Sequence, residues 1–486
     1  MKHIVFMTQA VVEKNMVEKS EYFSCIRKHL SSLKDLKDTK LTIKMHPAEK
    51  YINEYKKIIG SLKLNAAIIQ KGRGEYFLET LLDSADVVIG FKSSTLNMTM
   101  MLGKPIITIG ILDGKYDLNE YYFSDKEDRS VLKIAQNGDL FNAVKKVLYN
   151  RKFRAALLKR EHDYIKNAYR YDGPVYKRIA DMIVKVADSK LPIEQQNNND
   201  ANSKSQSDSY NKNVKSDKIL IGKAPLLWFF APSINRRMSP LSLENCISTT
   251  IYKKTFMINE KIKQMASRKV ISFPNYDVLF LTFTNCVSGS KAKHFNNLMP
   301  AVVEKGLSCS LLVFDPLSSL SARKLHSLDN TVYGYIDYVD KSKIKSQANH
   351  IARQMSAIIE MTPEKEIYLS SEMIYIVLLY YEAIREAIKQ HKTRILVLTG
   401  DLSILERCAI AAADSCNIRV VLAPVGLGFG ITDYPDLRNI YMAAFGNSFK
   451  EMLVKKGAYK KNIMVTGSLL YEDSIKYMQN KTVQRK

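Results

Sequence analysis

The sequence predicts two doubly wound α/β domains joined by a disordered linker, and three observations carry that prediction. Short, continuous apolar runs recur along the chain, separated by stretches of helical periodicity. Strands buried on both faces of a parallel sheet read in this way. The stretch 195–213 (QQNNNDANSKSQSDSYNKN) breaks the alternation, with only Ala201 and Tyr210 apolar. So little apolar surface cannot offset the entropy of ordering a backbone, so residues 189–217 read as linker. The total of 486 residues suits two domains of this class.

In the first block, residues 1–188, the strand runs are HIVFMTQ (3–9), KLTIKMH (40–46), AAIIQ (66–70), DVVIGF (86–91) and PIITIG (105–110). Helical patterns such as NEYKKIIGSL and EYFLETLLDSA lie between them, and PVYKRIADMIVKVA after Asp172-Gly173 is read as the closing helix. The second block, residues 218–486, repeats the alternation after an irregular stretch holding the sole tryptophan, Trp228. Its strand runs fall at 276–283, 307–314, 394–400, 418–426, 440–446 and 463–467, with long helical patterns at 342–361 and 370–391.

Composition narrows the function classes. Lysine and arginine number 73 against 49 acidic residues, a formal charge of +24. That excess suits an anionic partner, although a lysine-favouring lineage explains it equally well. No apolar run reaches the roughly 18–20 residues of a membrane span, and the first fifteen residues lack the form of a secretory signal. Six cysteines without a CxxC pair point to a cytoplasmic protein with reduced, buried thiols. Eight dispersed histidines without HxxxH spacing argue against a metal site. No basic run interleaved with aromatics and no zinc-finger spacing supports nucleic-acid binding.

Ligands of open parallel sheets bind beyond the carboxyl ends of the strands. Two loops of the first block stand there. Lys44-Met45-His46-Pro47 ends the second strand, and a histidine at that mouth can donate to a phosphate oxygen with Lys44 adding charge. The alternative is a histidine that caps a backbone group. Ser93, Ser94 and Thr95 open the helix after DVVIGF, where backbone N–H groups and small hydroxyls favour an anion. The same residues also make ordinary N-caps.

These residues resemble a family. The order KxHP, acidic-apolar strand, S-S-T, then a helix ending in GKP is similar to the nucleotide-sugar-binding lobe of GT-B glycosyltransferases of surface-polysaccharide biosynthesis. The relatives are sialyltransferase-like and CDP-glycerol glycerophosphotransferase-like enzymes and the UDP-N-acetylglucosamine 2-epimerases. The resemblance implies two Rossmann-like lobes and donor-phosphate contacts from His46, Ser93, Ser94 and Thr95, with Lys44 and Pro47 beside them in the donor site. The segment 293–300 (KHFNNLMP) is similar to the opening of GT-B acceptor lobes, which implies a base role for His294; a solvated histidine on a basic turn is the alternative. Asp401, after RILVLTG, is read as a second base or as an N-cap. Where the polysaccharide enzymes carry glutamine-histidine-glycine, this chain has Pro424-Val425-Gly426.

In the family the acceptor lobe precedes the donor lobe; here the donor-like block comes first. A circular permutant, a pair of joined half-enzymes needing a partner, or a piece of a tandem protein would each give this order. A flexible linker of about 29 residues spans on the order of 30 Å, enough for permuted lobes to face each other. The expected partners are a nucleotide-activated sugar donor and a glycan or lipid-linked acceptor, with metal-independent transfer, no cofactor and no nucleic acid. A contact with the inner membrane face through APLLWFFAPSINRR (224–237) is weighed against burial of that segment. Sugar-nucleotide epimerisation, phospho-polyol transfer and a non-catalytic nucleotide-binding scaffold are the rival readings.

Overall fold

The computed structural model describes residues 1–13, 17–71, 76–91, 93–110, 131–135, 138–189, 219–226, 228–230, 274–281, 293–312, 331–332, 339–358, 369–400, 404–424 and 437–484. The chain divides into two compact units: Met1–Asp172 with Tyr471–Lys486, and Gly173–Leu470. Both are α/β units, each built on one large parallel sheet.

The first unit runs β1 (Lys2–Met7), α1 (Lys19–Ser32), β2 (Thr39–Lys44), α2 (Ile52–Leu62), β3 (Ala66–Ile69), α3 (Phe77–Asp83), β4 (Val87–Gly90), α4 (Ser94–Met101), β5 (Ile106–Ile109), β6 (Leu132–Ile134), α5 (Leu140–Tyr149) and α6 (Arg151–Ala168). Its sheet order, β3-β2-β1-β4-β5-β6, is that of a Rossmann fold. Ile4, Phe6, Ile43, Val87, Ile89 and Ile107 bury its centre, as strands covered on both faces require. The strand β6 was not legible beforehand, because three residues give no period to read.

The GKP tripeptide after α4 acts as a helix stop. Gly103 takes φ +67, which costs a glycine little. Its N–H donates to Met100 O at 2.9 Å and the N–H of Lys104 donates to Thr99 O at 3.1 Å, closing the last carbonyls of the helix. Pro105 then starts the chain toward β5.

The second unit holds α7 (Val175–Asp188), a short hairpin of β7 (Leu220–Ile221) and β8 (Ala224–Pro225), β9 (Val278–Leu281), α8 (Lys293–Glu304), β10 (Cys309–Leu312), β11 (Thr331–Val332), α9 (Lys341–Ile358), α10 (Ser371–Gln390), β12 (Ile395–Leu398), α11 (Ile404–Ser415), β13 (Arg419–Leu422), β14 (Ile440–Ala444), α12 (Asn447–Lys455) and β15 (Ile463–Val465). The sheet order β11-β10-β9-β12-β13-β14-β15 repeats the Rossmann order and adds a seventh strand. The last helix, α13 (Glu472–Gln484), belongs to the first unit.

The structure places α7, read from sequence as the end of the 1–188 block, in the second unit. Two arginines at the start of neighbouring strands hold its C-terminus. Arg419 Nη1 donates to Val186 O at 2.6 Å and to Ala187 O at 3.3 Å, its Nη2 donates to Ser189 O, and Arg394 Nη2 donates to Ala187 O at 2.7 Å. Cations at orphan carbonyls of a helix C-terminus satisfy both hydrogen bonding and the helix dipole. The linker expected over 189–217 lies, from residue 190 on, outside the described residues.

The aromatic part of the segment weighed as a membrane contact is buried, in line with the other reading of it. Trp228, Phe229 and Phe230 expose 5%, 1% and 0% of their surface. The buried Arg407 stacks on the Trp228 ring at 4.4 Å and donates to the Trp228 carbonyl. No helix among the described residues is long and apolar enough to cross a membrane. Cys25, Cys309 and Cys408 are buried.

Candidate functional site

Strand register sets the frame of the site. Met7, the last residue of β1, pairs with Lys44 of β2 on one side and with Gly90 of β4 on the other. The loops that follow β2 and β4 therefore leave the sheet at one level, on either side of β1. The chain order reverses between β1 and β4, and such switch points are where α/β sheets open a crevice. Gly90 lets the strands approach there: a Cβ on it would lie 3.3 Å from Met7 Cβ.

The turn after β2 is built around Glu49, a residue the sequence reading did not single out. Its side chain is 3% exposed. One carboxylate oxygen accepts from the His46 N–H at 2.7 Å and from the Thr8 hydroxyl. The other accepts from the Tyr55 hydroxyl at 2.6 Å and from the Tyr22 hydroxyl at 3.4 Å. Burial pushes the Glu49 carboxyl above the usual carboxylate range, with the Thr8 and Tyr55 hydroxyls pulling the other way. Gln70 Nε2 donates to the Glu49 carbonyl at 2.5 Å, so the end of β3 also grips the turn.

His46 is half-buried at the head of this turn. The Ala48 N–H donates to His46 Nδ1 at 3.1 Å. A neutral ring that accepts at Nδ1 carries its proton on Nε2, which makes Nε2–H the ring's donor. Pro47 is exposed beside it and holds the chain in the turn. The histidine thus caps a backbone N–H of its own turn, one of the two readings the sequence offers.

Lys44 lies beneath the turn. Its ammonium is buried and donates to Met45 O at 2.6 Å and to Gln70 O at 3.0 Å. Burial lowers its pKa, with Glu49 opposing. Lys44 ties the ends of β2 and β3 together and supplies positive potential from beneath the turn.

On the other side of β1, Ser93 is the N-cap of α4, with φ −153 and ψ 144, and its Oγ accepts from the Thr95 N–H at 3.3 Å. Ser94 and Thr95 are half-buried in the first turn, where N–H groups lack helical partners and the dipole favours an anion. Asn97, fully buried one turn on, donates to the hydroxyls of Tyr169 and Tyr471 at 2.9 and 3.1 Å, and Tyr471 donates to Ser94 O at 3.1 Å. That anchoring fixes the direction in which the first turn points.

His294, the second residue of α8, follows β9, the strand that occupies in the second sheet the place of β1 in the first. Asp401 lies outside the described residues. The loop that leads to it starts beyond β12, whose Leu398 pairs with Leu281 of β9. Gly400 packs so tightly that a Cβ would come within 2.9 Å of Glu406 Oε1. Among the described residues no group of three or more His, Cys, Asp or Glu side chains could hold a metal ion.

No protein-family model matches the chain, and no curated protein matches it. Among solved structures it is similar to a UDP-GlcNAc 2-epimerase from Neisseria meningitidis bound to UDP-GlcNAc, at 10% identity over 100% of both chains and a TM-score of 0.19. It is also similar to S. aureus MnaA in a UDP co-structure, at 8% identity over 100% of this chain and 97% of that one, TM-score 0.20. The N-terminal domain of trehalose-6-phosphate phosphatase from Candida albicans matches 34% of this chain at 11% identity and TM-score 0.25, and the match spans 38% of that chain. Likenesses at these scores assign neither site nor activity. The fold rests on the chain's own strand orders.

Proposed function

We propose that the first unit binds the phosphates of a nucleotide-activated sugar at the edge where β1, β2 and β4 end. On this reading the chain is a GT-B-type enzyme of glycan assembly that transfers a sugar or phospho-polyol. The observation that carries the reading is the paired construction around Met7: a turn that holds His46 with its proton on Nε2, and a helix start capped by Ser93. Two such donors flanking one crevice suit a diphosphate, whose negative charge rises as the bond to the sugar breaks. His294 and Asp401 are proposed as the groups that deprotonate the acceptor, in the second unit and without a metal. The donor lobe then precedes the acceptor lobe in the chain.

The test is calorimetric titration of the full chain with UDP, CDP, CMP, GDP and ADP. The full chain is used because the first unit includes Tyr471–Lys486. Selective binding of one nucleotide, lost in His46→Ala at unchanged melting temperature, supports the donor site. Equal binding by parent and variant removes His46 from it. With the matching nucleotide-sugar, release of nucleotide marks transfer, interconversion of two sugar epimers marks epimerisation, and binding without turnover marks a scaffold.

A further inference from the structure

A groove of about 620 Å³ lies between the end of α5 and the start of α6, lined by Asn142, Lys145, Lys146, Asn150, Arg151 and Lys152, with Tyr149 at its wall. Its position separates it from the crevice described above. The Tyr149 hydroxyl donates to Lys37 O, just ahead of β2, at 3.3 Å. Arg154 donates to the carbonyl of Asp86, just ahead of β4, at 2.6 Å. The groove therefore sits at the amino-terminal edge of the first sheet, opposite His46 and α4.

Its charge is one-sided. From Leu140 to Arg160 the sequence has no Asp or Glu. Among the described residues none of Lys145, Lys146, Arg151 and Lys152 forms an ion pair, and all four are exposed. Asp139, the nearby N-cap of α5, is held by the Asn142 N–H at 2.9 Å and by the Asn142 side-chain amide. Arg151 and Lys152 are moreover the first two residues of α6, whose first turn has no acid. Cations at the positive pole of an 18-residue helix oppose its dipole, and local choices that cost stability point to a function.

We propose that this groove binds a small oligophosphate, a ligand carrying two or three linked phosphoryl groups. Four convergent cations match three or four negative charges. The Asn142 and Asn150 side chains also line the groove. The groove is open to solvent, which leaves room for a hydrated anion, and the exposed residues of α6 are polar or charged apart from Ala155 and Ala156, which give a bilayer little to bury. The proposal is independent of the nucleotide reading of the opposite edge.

The experiment titrates the full chain with inorganic tripolyphosphate at moderate salt, alongside Arg151→Gln/Lys152→Gln, Lys145→Gln/Lys146→Gln and His46→Ala. The expected result is saturable binding that persists in His46→Ala and that each groove pair, made in that background so that the opposite crevice does not contribute, weakens by about tenfold. Melting temperatures check that the exposed substitutions leave the fold intact. Binding in the His46→Ala background that survives both groove pairs overturns the proposal, as does binding that vanishes in His46→Ala alone, or no binding at all. So does a chain that ignores tripolyphosphate yet sediments with phosphatidylglycerol vesicles unless the groove is neutralised, which would make the surface a membrane contact.

Discussion

Tyr169 and Tyr471 meet edge to face in the first unit, ring centroids 5.2 Å apart and planes at 88°. Each lies close to one of the two points where the chain passes between units, at Asp172/Gly173 and Leu470/Tyr471. Asn97 donates to both hydroxyls. One buried amide on α4 thus ties together segments hundreds of residues apart in sequence, behind the helix turn proposed to hold an anion.

Removing one hydroxyl from this cluster tests its weight. Tyr471→Phe deletes the acceptor for Asn97 and the donor to Ser94 O, and should lower stability by about 1–2 kcal/mol in a denaturant titration. An unchanged midpoint would mean that the rings alone hold the cluster.

Glu49 is expected to be the most sensitive residue of the β2 turn. Glu49→Ala strands the Thr8 and Tyr55 hydroxyls and the His46 N–H together, a loss of about 3 kcal/mol or more. Glu49→Gln keeps the volume but presents one acceptor oxygen instead of two. Nucleotide affinity should fall in Glu49→Gln more than thermal stability does, and a variant that binds like the parent would detach the turn from the site.

Stability should change with pH through two buried groups. Glu161 is 1% exposed, and burial pushes its carboxyl up to about 8 while one oxygen accepts from the Ile106 N–H at 3.0 Å. Its folded pKa lies above the unfolded value, so its contribution is full below about 4.5 and is lost as pH rises through about 8, by a few kcal/mol. Glu161→Gln should flatten the decline in melting temperature between about pH 4.5 and 8. His29 works in the opposite sense: burial lowers it to about 4, so its contribution is present above about 6.5 and is lost as pH falls toward 4. His29→Gln should therefore blunt the acid limb, and a variant with the parent's slope would show that the decline arises elsewhere.

At the end of α7, Arg419→Ala removes the donor for three carbonyls. A loss of about 2–3 kcal/mol and faster amide exchange along Ile183–Asp188 are expected. Exchange confined to other elements would show that Arg394 alone suffices as the clamp.

The strands were legible where the physics is local. DVVIGF, PIITIG and RILVLTG are continuous β-rich runs, and each forms a strand buried on both faces. The edge strands β6 and β11, of three and two residues, carry too few side chains to make a pattern. Of the site, His46 and Ser93 could be read because proline, serine and threonine mark strand ends and helix starts. Glu49 could not, since a glutamate on a polar-looking turn gives no sign that two tyrosines and a threonine will enclose it.

The sequence by itself determined two parallel α/β sheets, the caps and stops of their helices, and which loops leave the strand ends. Those follow from periodicity and from the backbone limits of proline and glycine. Only the tertiary structure decided that α7 belongs with the second sheet and α13 with the first. It also buried the Lys44 ammonium against the Met45 and Gln70 carbonyls, and it enclosed Trp228 beside Arg407. Each of these depends on partners distant in the chain, and burial by such partners has no period that a sequence can display.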